Sequence, residues 1–306
     1  MYKNFSPSSL AMTGRQSELI ELTLTYAFQG MDIDMFDMQK RAHRSGIEEA
    51  AKYIRAVGDC QWTGFNAIVD LVAAEEVFVN QVAQLHPTAD LARGWEIQAA
   101  YVRVPSATDT AAFPECFDQT RNRIAQIADV LSPRGLKLGL EFVPGVDAIE
   151  GRAHEFIRTS EQVVALLDAV KNDDVGILLD TYQWVLGGGT VESALQLPVE
   201  RIVGVRVGQL AGGVAPNEAK STDRVIAEPE GPFDHVKLLK GLLDAGFTGG
   251  IAPTASIEQY TGSTREQIVT DAQEALDKML IEAGLEIPPR PIELIAELPV
   301  EPIAPV

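Results

Sequence analysis

The sequence predicts a single (β/α)8 barrel, an α/β fold with the extended proline-rich segment 285–306 following a domain at 1–284. Three observations point there. Short apolar runs recur along the chain, apolar at successive positions rather than alternating, as parallel strands covered on both faces require. Segments with helical periodicity fill the gaps between them. The 306 residues suit a barrel, which typically takes about 250.

The strand candidates, in order, are 5–12, 31–36 (MDIDMF), a weak one at 62–68, 98–104 (QAAYVRV), 136–142 (LKLGLEF), 175–180 (VGILLD), 202–207 (IVGVRV) and 249–254 (GGIAPT). Pro144-Gly145 is a turn signal closing the fifth. Ile47, Ala50, Ala51, Ile54 and Val57 share one helical face, as do Ile124, Ile127, Ala128 and Leu131. The same spacing links Val236, Leu239, Leu242 and Leu243, and again Ile268, Ala272, Ala275, Leu276 and Met279. Gly246 and Gly284 follow the last periodic residues of their segments and read as helix stops. A doubly wound open sheet is the structural alternative, disfavoured because no glycine-rich turn follows the first strand.

Composition narrows the function classes. There are 44 acidic and 25 basic residues, a formal charge of −19. Nucleic acid is an unsuitable partner for such a chain, because phosphate binding needs a concentrated positive surface. An anionic membrane surface is disfavoured for the same reason, and no apolar run approaches the roughly 20 residues of a membrane span. Cys60 and Cys116 are too few for a disulfide framework, and no targeting segment is visible, so a reduced cytoplasmic setting is expected. Six of the 17 prolines fall in 288–306, mixed with Ile, Leu and Val. That composition is expected to lie on the barrel exterior or to cross to a second protomer in a homo-oligomer.

In a barrel the site lies at the C-terminal strand ends, so the polar residues ending each apolar run are the candidates. They are Glu141, Asp180, Arg206 with Gln209 just beyond, and Thr254. A carboxylate at the end of a buried strand is costly unless it is paired or metal-bound. Here LEFVP at 140–144, LLDTYQW at 178–184, HEFIRT at 154–159, VRVGQ at 205–209 and STDRV at 221–225 resemble the xylose isomerase-like TIM barrels, the sugar phosphate isomerase/epimerase superfamily. The resemblance runs from about Met31 to about Ala283.

The resemblance implies a divalent cation, Mn or Mg, held by Glu, Asp, His and a second Glu from four strand ends, the glutamates also moving protons between sugar carbons. The first Glu matches Glu141 and the Asp matches Asp180; the ligand His falls on Arg206 and the last Glu on Thr254. A substrate-contacting His matches Gln183, and an acidic position matches Gln209. Arginine has no lone pair to offer a cation at neutral pH. Three carboxylates, a neutral His and a divalent cation sum to −1, and so do two carboxylates and one arginine. Arg206 is therefore expected to take the cation's place and neutralise Glu141 and Asp180 directly, through a bidentate pair.

The expectation is a site without metal or other cofactor that binds a small sugar or polyol, or its phosphate. Glu141 and Arg206 are its catalytic candidates, and Gln183, Trp184, Gln209, Arg224 and His154 its ligand contacts. Two enzymatic alternatives stand beside it. One is a metal-dependent isomerase or epimerase retaining Glu141 and Asp180 as ligands. The other is a metal-free lyase or dehydratase acting on a keto-polyol through Glu141 and Arg206. Trp62, Tyr182 and Arg103 are further candidates for stacking or hydroxyl contacts. Lys220 and Arg224 fall in a long loop after the seventh strand that would act as a lid. Gly187–Gly189 read either as a phosphate cradle or as a flexible loop. His43, His86 and His235 are expected to face solvent.

Overall fold

In the computed structural model, which describes residues 1–55, 58, 60–109 and 111–289, eight parallel strands close into a barrel. They are β1 (Tyr2–Phe5), β2 (Gly30–Asp32), β3 (Gln61–Asn66), β4 (Ala99–Val104), β5 (Lys137–Phe142), β6 (Val175–Asp180), β7 (Ile202–Leu210) and β8 (Gly250–Pro253). Each pairs with the next, and β8 returns to β1 through Tyr2↔Gly250 and Lys3↔Ile251. The register sets the later site: Arg103 lies opposite Glu141, Asp180 opposite Arg206, and Arg206 opposite Ala252.

The last four strands match the apolar runs closely, whereas the first two lie earlier in the chain than expected. β1 occupies Tyr2–Phe5, and the stretch expected as a strand instead forms a 3-10 turn, Pro7–Leu10, with Pro7 setting its first position. β2 ends at Asp32 because Asp34 caps a helix, Met35–Ser45, accepting hydrogen bonds from the Phe36 and Asp37 amides. The helices Ile47–Arg55, Phe113–Leu131, His235–Asp244 and Arg265–Glu282 carry the periodic faces, Val57 lying outside the described residues. Gly246 and Gly284 adopt positive φ of 84° and 97°, the left-handed conformation that ends a helix. The tail from residue 290 also lies outside the described residues.

The main hydrophobic core fills the layer between strands and helices; a second, small one of Ala99, Tyr101, Leu178 and Val203 fills the barrel interior. Tyr101 occupies this interior because its neighbours lack side chains. A Cβ on Gly64 would come within 2.5 Å of the Tyr101 ring, and one on Gly139 within 2.8 Å. His235 corrects an expectation. It is fully buried, its Nε2 3.0 Å from Thr181 Oγ1 and 3.3 Å from the Gly208 carbonyl. Burial presses the imidazole down to a pKa of about 4, so it is neutral near pH 7. His43 and His86 are exposed as expected. No helix among the described residues is long and apolar enough to cross a membrane.

Candidate functional site

The C-terminal end of the barrel gathers charge that the strand register places there. Glu141, the next-to-last residue of β5, meets two arginines: Arg206 Nη1 donates to Oε1 at 2.8 Å and Arg103 Nε to Oε2 at 3.1 Å. Arg206 does not form the expected bidentate pair, because Glu141 divides its oxygens between Arg103 on the adjacent β4 and Arg206 on β7, one strand further round the barrel. Asp180 has a different partner. Arg224 Nη1 lies 3.3 Å from its Oδ2 and donates to Thr254 Oγ1 at 2.7 Å, while Asp180 Oδ1 caps a short helix at the Gln183 amide. The expectation that one arginine neutralises both acids is thus corrected to two adjoining pairs, Glu141 with Arg206 and Asp180 with Arg224.

Arg224 also corrects the expected lid loop. It opens a short strand, Arg224–Ile226, that runs antiparallel to β7 with Arg224 opposite Leu210. Its guanidinium lies 4.8 Å from the Tyr182 ring centroid, and the Tyr182 hydroxyl donates to the Lys220 carbonyl. Below, the Arg206 guanidinium lies 5.7 Å from the Tyr101 ring centroid, which floors the mouth.

A third carboxylate, Asp32 at the end of β2, completes the group. Asn4 Nδ2 donates to its Oδ1 at 3.0 Å, Thr63 Oγ1 donates to Asn4 Oδ1 at 2.7 Å, and the Tyr2 hydroxyl lies 2.9 Å from Thr63 Oγ1. This chain threads the barrel interior from its lower end to Asp32. The run MDID carries the signal for Asp32, a carboxylate closing a short strand; the strand expected over 31–36 runs four residues past its end at Asp32, which hides the position.

The electrostatics follow from burial and pairing. Burial alone would raise the Glu141 pKa, but Arg206, Arg103 and Arg224 outweigh it and hold the carboxyl below its ordinary value. Burial opposes the charge on Arg206, yet Glu141, Asp32 and Asp180 together push its pKa up. At Asp32 burial wins: its pKa is raised despite Arg206 and hydrogen bonds from Ser6 and Asn4. At the mouth, three carboxyl groups, Asp32, Glu141 and Asp180, stand beside three guanidiniums, Arg103, Arg206 and Arg224.

The remaining candidates are scattered. Gln183 is buried behind Asp180, its Oε1 without a partner among the described residues. Gln209 Oε1 accepts from the Glu228 amide at 3.3 Å. Trp184 and Trp62 sit in the outer core, and the Trp184 indole N–H donates to the Thr190 carbonyl at 3.0 Å. His154 is exposed on a two-residue ladder opposite Thr108. Gly187 is required for packing, since a Cβ there would come 2.5 Å from the Phe142 ring; Gly189 packs against the Trp184 indole in the same way.

Divalent-ion chemistry does not match these donors. The four strand-end positions present two carboxylates, a guanidinium that has no lone pair, and a hydroxyl engaged with Arg224 and the Ser9 carbonyl. Among the described residues no group of three or more His, Cys, Asp or Glu side chains could hold a metal ion.

Comparison with known proteins places this geometry. Residues 20–283 match the family model described as xylose isomerase-like TIM barrel. Inosose isomerase of Bacillus subtilis (strain 168) is 24% identical over 176 residues, 56% of this chain and 59% of that protein. The chain therefore spans about six-tenths of the length of the curated relatives it matches. Among solved structures, a xylose isomerase domain protein from Alicyclobacillus acidocaldarius superposes with a TM-score of 0.81 at 23% identity, covering 92% of this chain and 99% of that one. The IolI protein with a bound zinc atom gives 0.77 at 17% identity, with the same coverage. At these identities the structures establish the fold, and the family match extends over most of the sequence: the chain belongs to the xylose isomerase-like TIM barrel family.

Proposed function

We propose that this protein is a divergent member of the isomerase/epimerase-like barrels that binds a small sugar or polyol at the barrel mouth without a metal ion. The observation that carries the reading is the 2.8 Å contact between Arg206 and Glu141, a guanidinium seated on the acid where the family resemblance places a metal-ligating histidine. Positive charge at the mouth then comes from Arg206 and Arg224. Both guanidiniums line the mouth beside the acids they pair with, Arg206 on Glu141 and Arg224 on Asp180.

A lyase or dehydratase reading, with Glu141 as base, is less well supported. Two arginines hold Glu141 ionised and lower its pKa, which weakens it as a proton acceptor.

Elemental analysis of the purified protein, paired with thermal-shift screening against sugars and polyols, tests the proposal. The expected result is substoichiometric divalent metal, a melting temperature indifferent to EDTA, and a ligand-induced shift that Arg206→Met abolishes. A stoichiometric divalent ion whose removal lowers the melting temperature would overturn it.

A further inference from the structure

The charged cluster is one part of the barrel mouth. A cavity of about 770 Å³ opens beside it, over the ends of β1–β3, between the helices Met35–Ser45 and Glu75–Gly94. It shares Asp32 with the cluster. Its wall is apolar at Met12, Met35, Phe65 and Leu85. Three of the chain's large exposed apolar side chains, Phe36, Ile68 and Val77, gather at its rim, with exposures of 53%, 71% and 47%. Apolar groups left open together in this way mark a surface that a ligand covers.

Hydroxyl and amide side chains line much of this cavity, among them Ser8, Asn66, Asn80 and Gln84, and two acceptors stand out. Asp32 is one. Gln16 is another: it is 4% exposed, its Nε2 rests 3.9 Å from the Met31 sulfur, and its Oε1 is buried with no partner among the described residues. A buried carbonyl oxygen without a donor is costly. No Lys, Arg or His lines the cavity among the described residues. Two nearby cations are already engaged: Lys40 lies over the Phe36 ring, and Arg265 is held by the Thr13 carbonyl and Glu18. A phosphate here would face the carboxyl groups of Asp32 and Asp34 with no cationic side chain in the described cavity lining.

We propose that the cavity binds the apolar portion of an uncharged, hydroxyl-bearing ligand, such as a sugar or polyol carrying an aryl or alkyl group, and excludes phosphorylated ligands. This rests on the reading above that the mouth takes a sugar or polyol, and it adds the chemical class.

Titration calorimetry with methyl and phenyl β-D-glucopyranosides and xylopyranosides and with glucose 6-phosphate tests the idea. The phenyl glycosides should bind at least tenfold more tightly than their methyl counterparts, glucose 6-phosphate should give no measurable heat, and Ile68→Ser with Val77→Ser should bring the phenyl-to-methyl ratio towards one. Methyl glycosides that bind as well as phenyl ones, or a phosphorylated sugar that binds better than either, would overturn the cavity assignment while leaving sugar binding at the mouth standing. Absence of binding by every glycoside would instead remove the sugar-binding reading, and this inference with it.

Discussion

Arg224 donates to Thr254 Oγ1 at 2.7 Å, and that hydroxyl donates to the Ser9 carbonyl at 2.9 Å. A threonine at the end of β8 thus joins the arginine beyond β7 to the loop after β1, and does so while buried. Thr254→Val keeps the shape and removes the hydroxyl, stranding a guanidinium donor and a carbonyl. The expected cost is ~1–3 kcal/mol of folding stability in urea unfolding. Thr254→Ser, which keeps the oxygen, should recover most of it.

Arg206→Met removes one partner of a pair with little solvent access, leaving Glu141 with Arg103 alone. Breaking such a pair costs roughly 3–5 kcal/mol, and the surviving Arg103 contact places the expectation near the lower end. The double variant Glu141→Gln/Arg206→Met should be more stable than Arg206→Met by itself. Chemical denaturation of the two side by side checks this.

Asp32 should behave in the opposite sense. Its folded pKa is raised, so the fold favours the protonated acid, and the stability this confers is present below its unfolded pKa and lost as pH rises through the folded one. Asp32→Asn should therefore gain in melting temperature relative to the parent as pH rises from 4 to 7. A parallel pH series of thermal melts for both proteins reads it; a difference that stays flat with pH would contradict the assignment.

His235 sets an acid limit. Its pKa falls from an ordinary 6.5 to about 4 in the fold, so its neutral state stabilises the protein above pH 6.5, and this is lost as pH drops towards 4. At ~1.4 kcal/mol per pH unit the loss is on the order of 3 kcal/mol. His235→Gln should be less stable at pH 7.5 but lose less between 7.5 and 4, as measured by urea unfolding at each pH.

Gly64→Ala would drive a methyl into the Tyr101 ring. Overpacking of this kind costs ~1–3 kcal/mol. Tyr101→Leu should relieve the clash, so that the Gly64→Ala penalty is smaller in that background; a double-mutant cycle on thermal stability measures the coupling.

The later barrel was legible because β5 to β8 are near-continuous apolar runs, each with a polar residue at or beside its C-terminal end: Glu141, Asp180, Gln209 and Thr254. β1 was not, because Lys3 interrupts it. The side chain reads as solvent-facing, yet it is fully buried, with Nζ 2.8 Å from Asp277 on the last helix, a partner 274 positions away that no local pattern reveals. His235 was misread for a related reason: it opens an amphipathic helix, where polar residues usually face out, but Thr181 and Gly208 draw it inside. The strand-end candidates Glu141, Asp180, Arg206 and Thr254 do converge. Spacing alone was silent about which arginine serves which acid, because that depends on how separate strands share a carboxylate. Asp32 was overlooked because β2 is three residues long and its signal merges with the helix cap that follows.

The aromatic ring of Tyr101, admitted by glycines on either side, seals the channel directly beneath Arg206. A ligand descending past Arg206 meets that plug. Changes in ligand preference within this lineage will therefore arise from the rim loops and from Asp32, since a deeper berth would first require exchanging the tyrosine for something smaller.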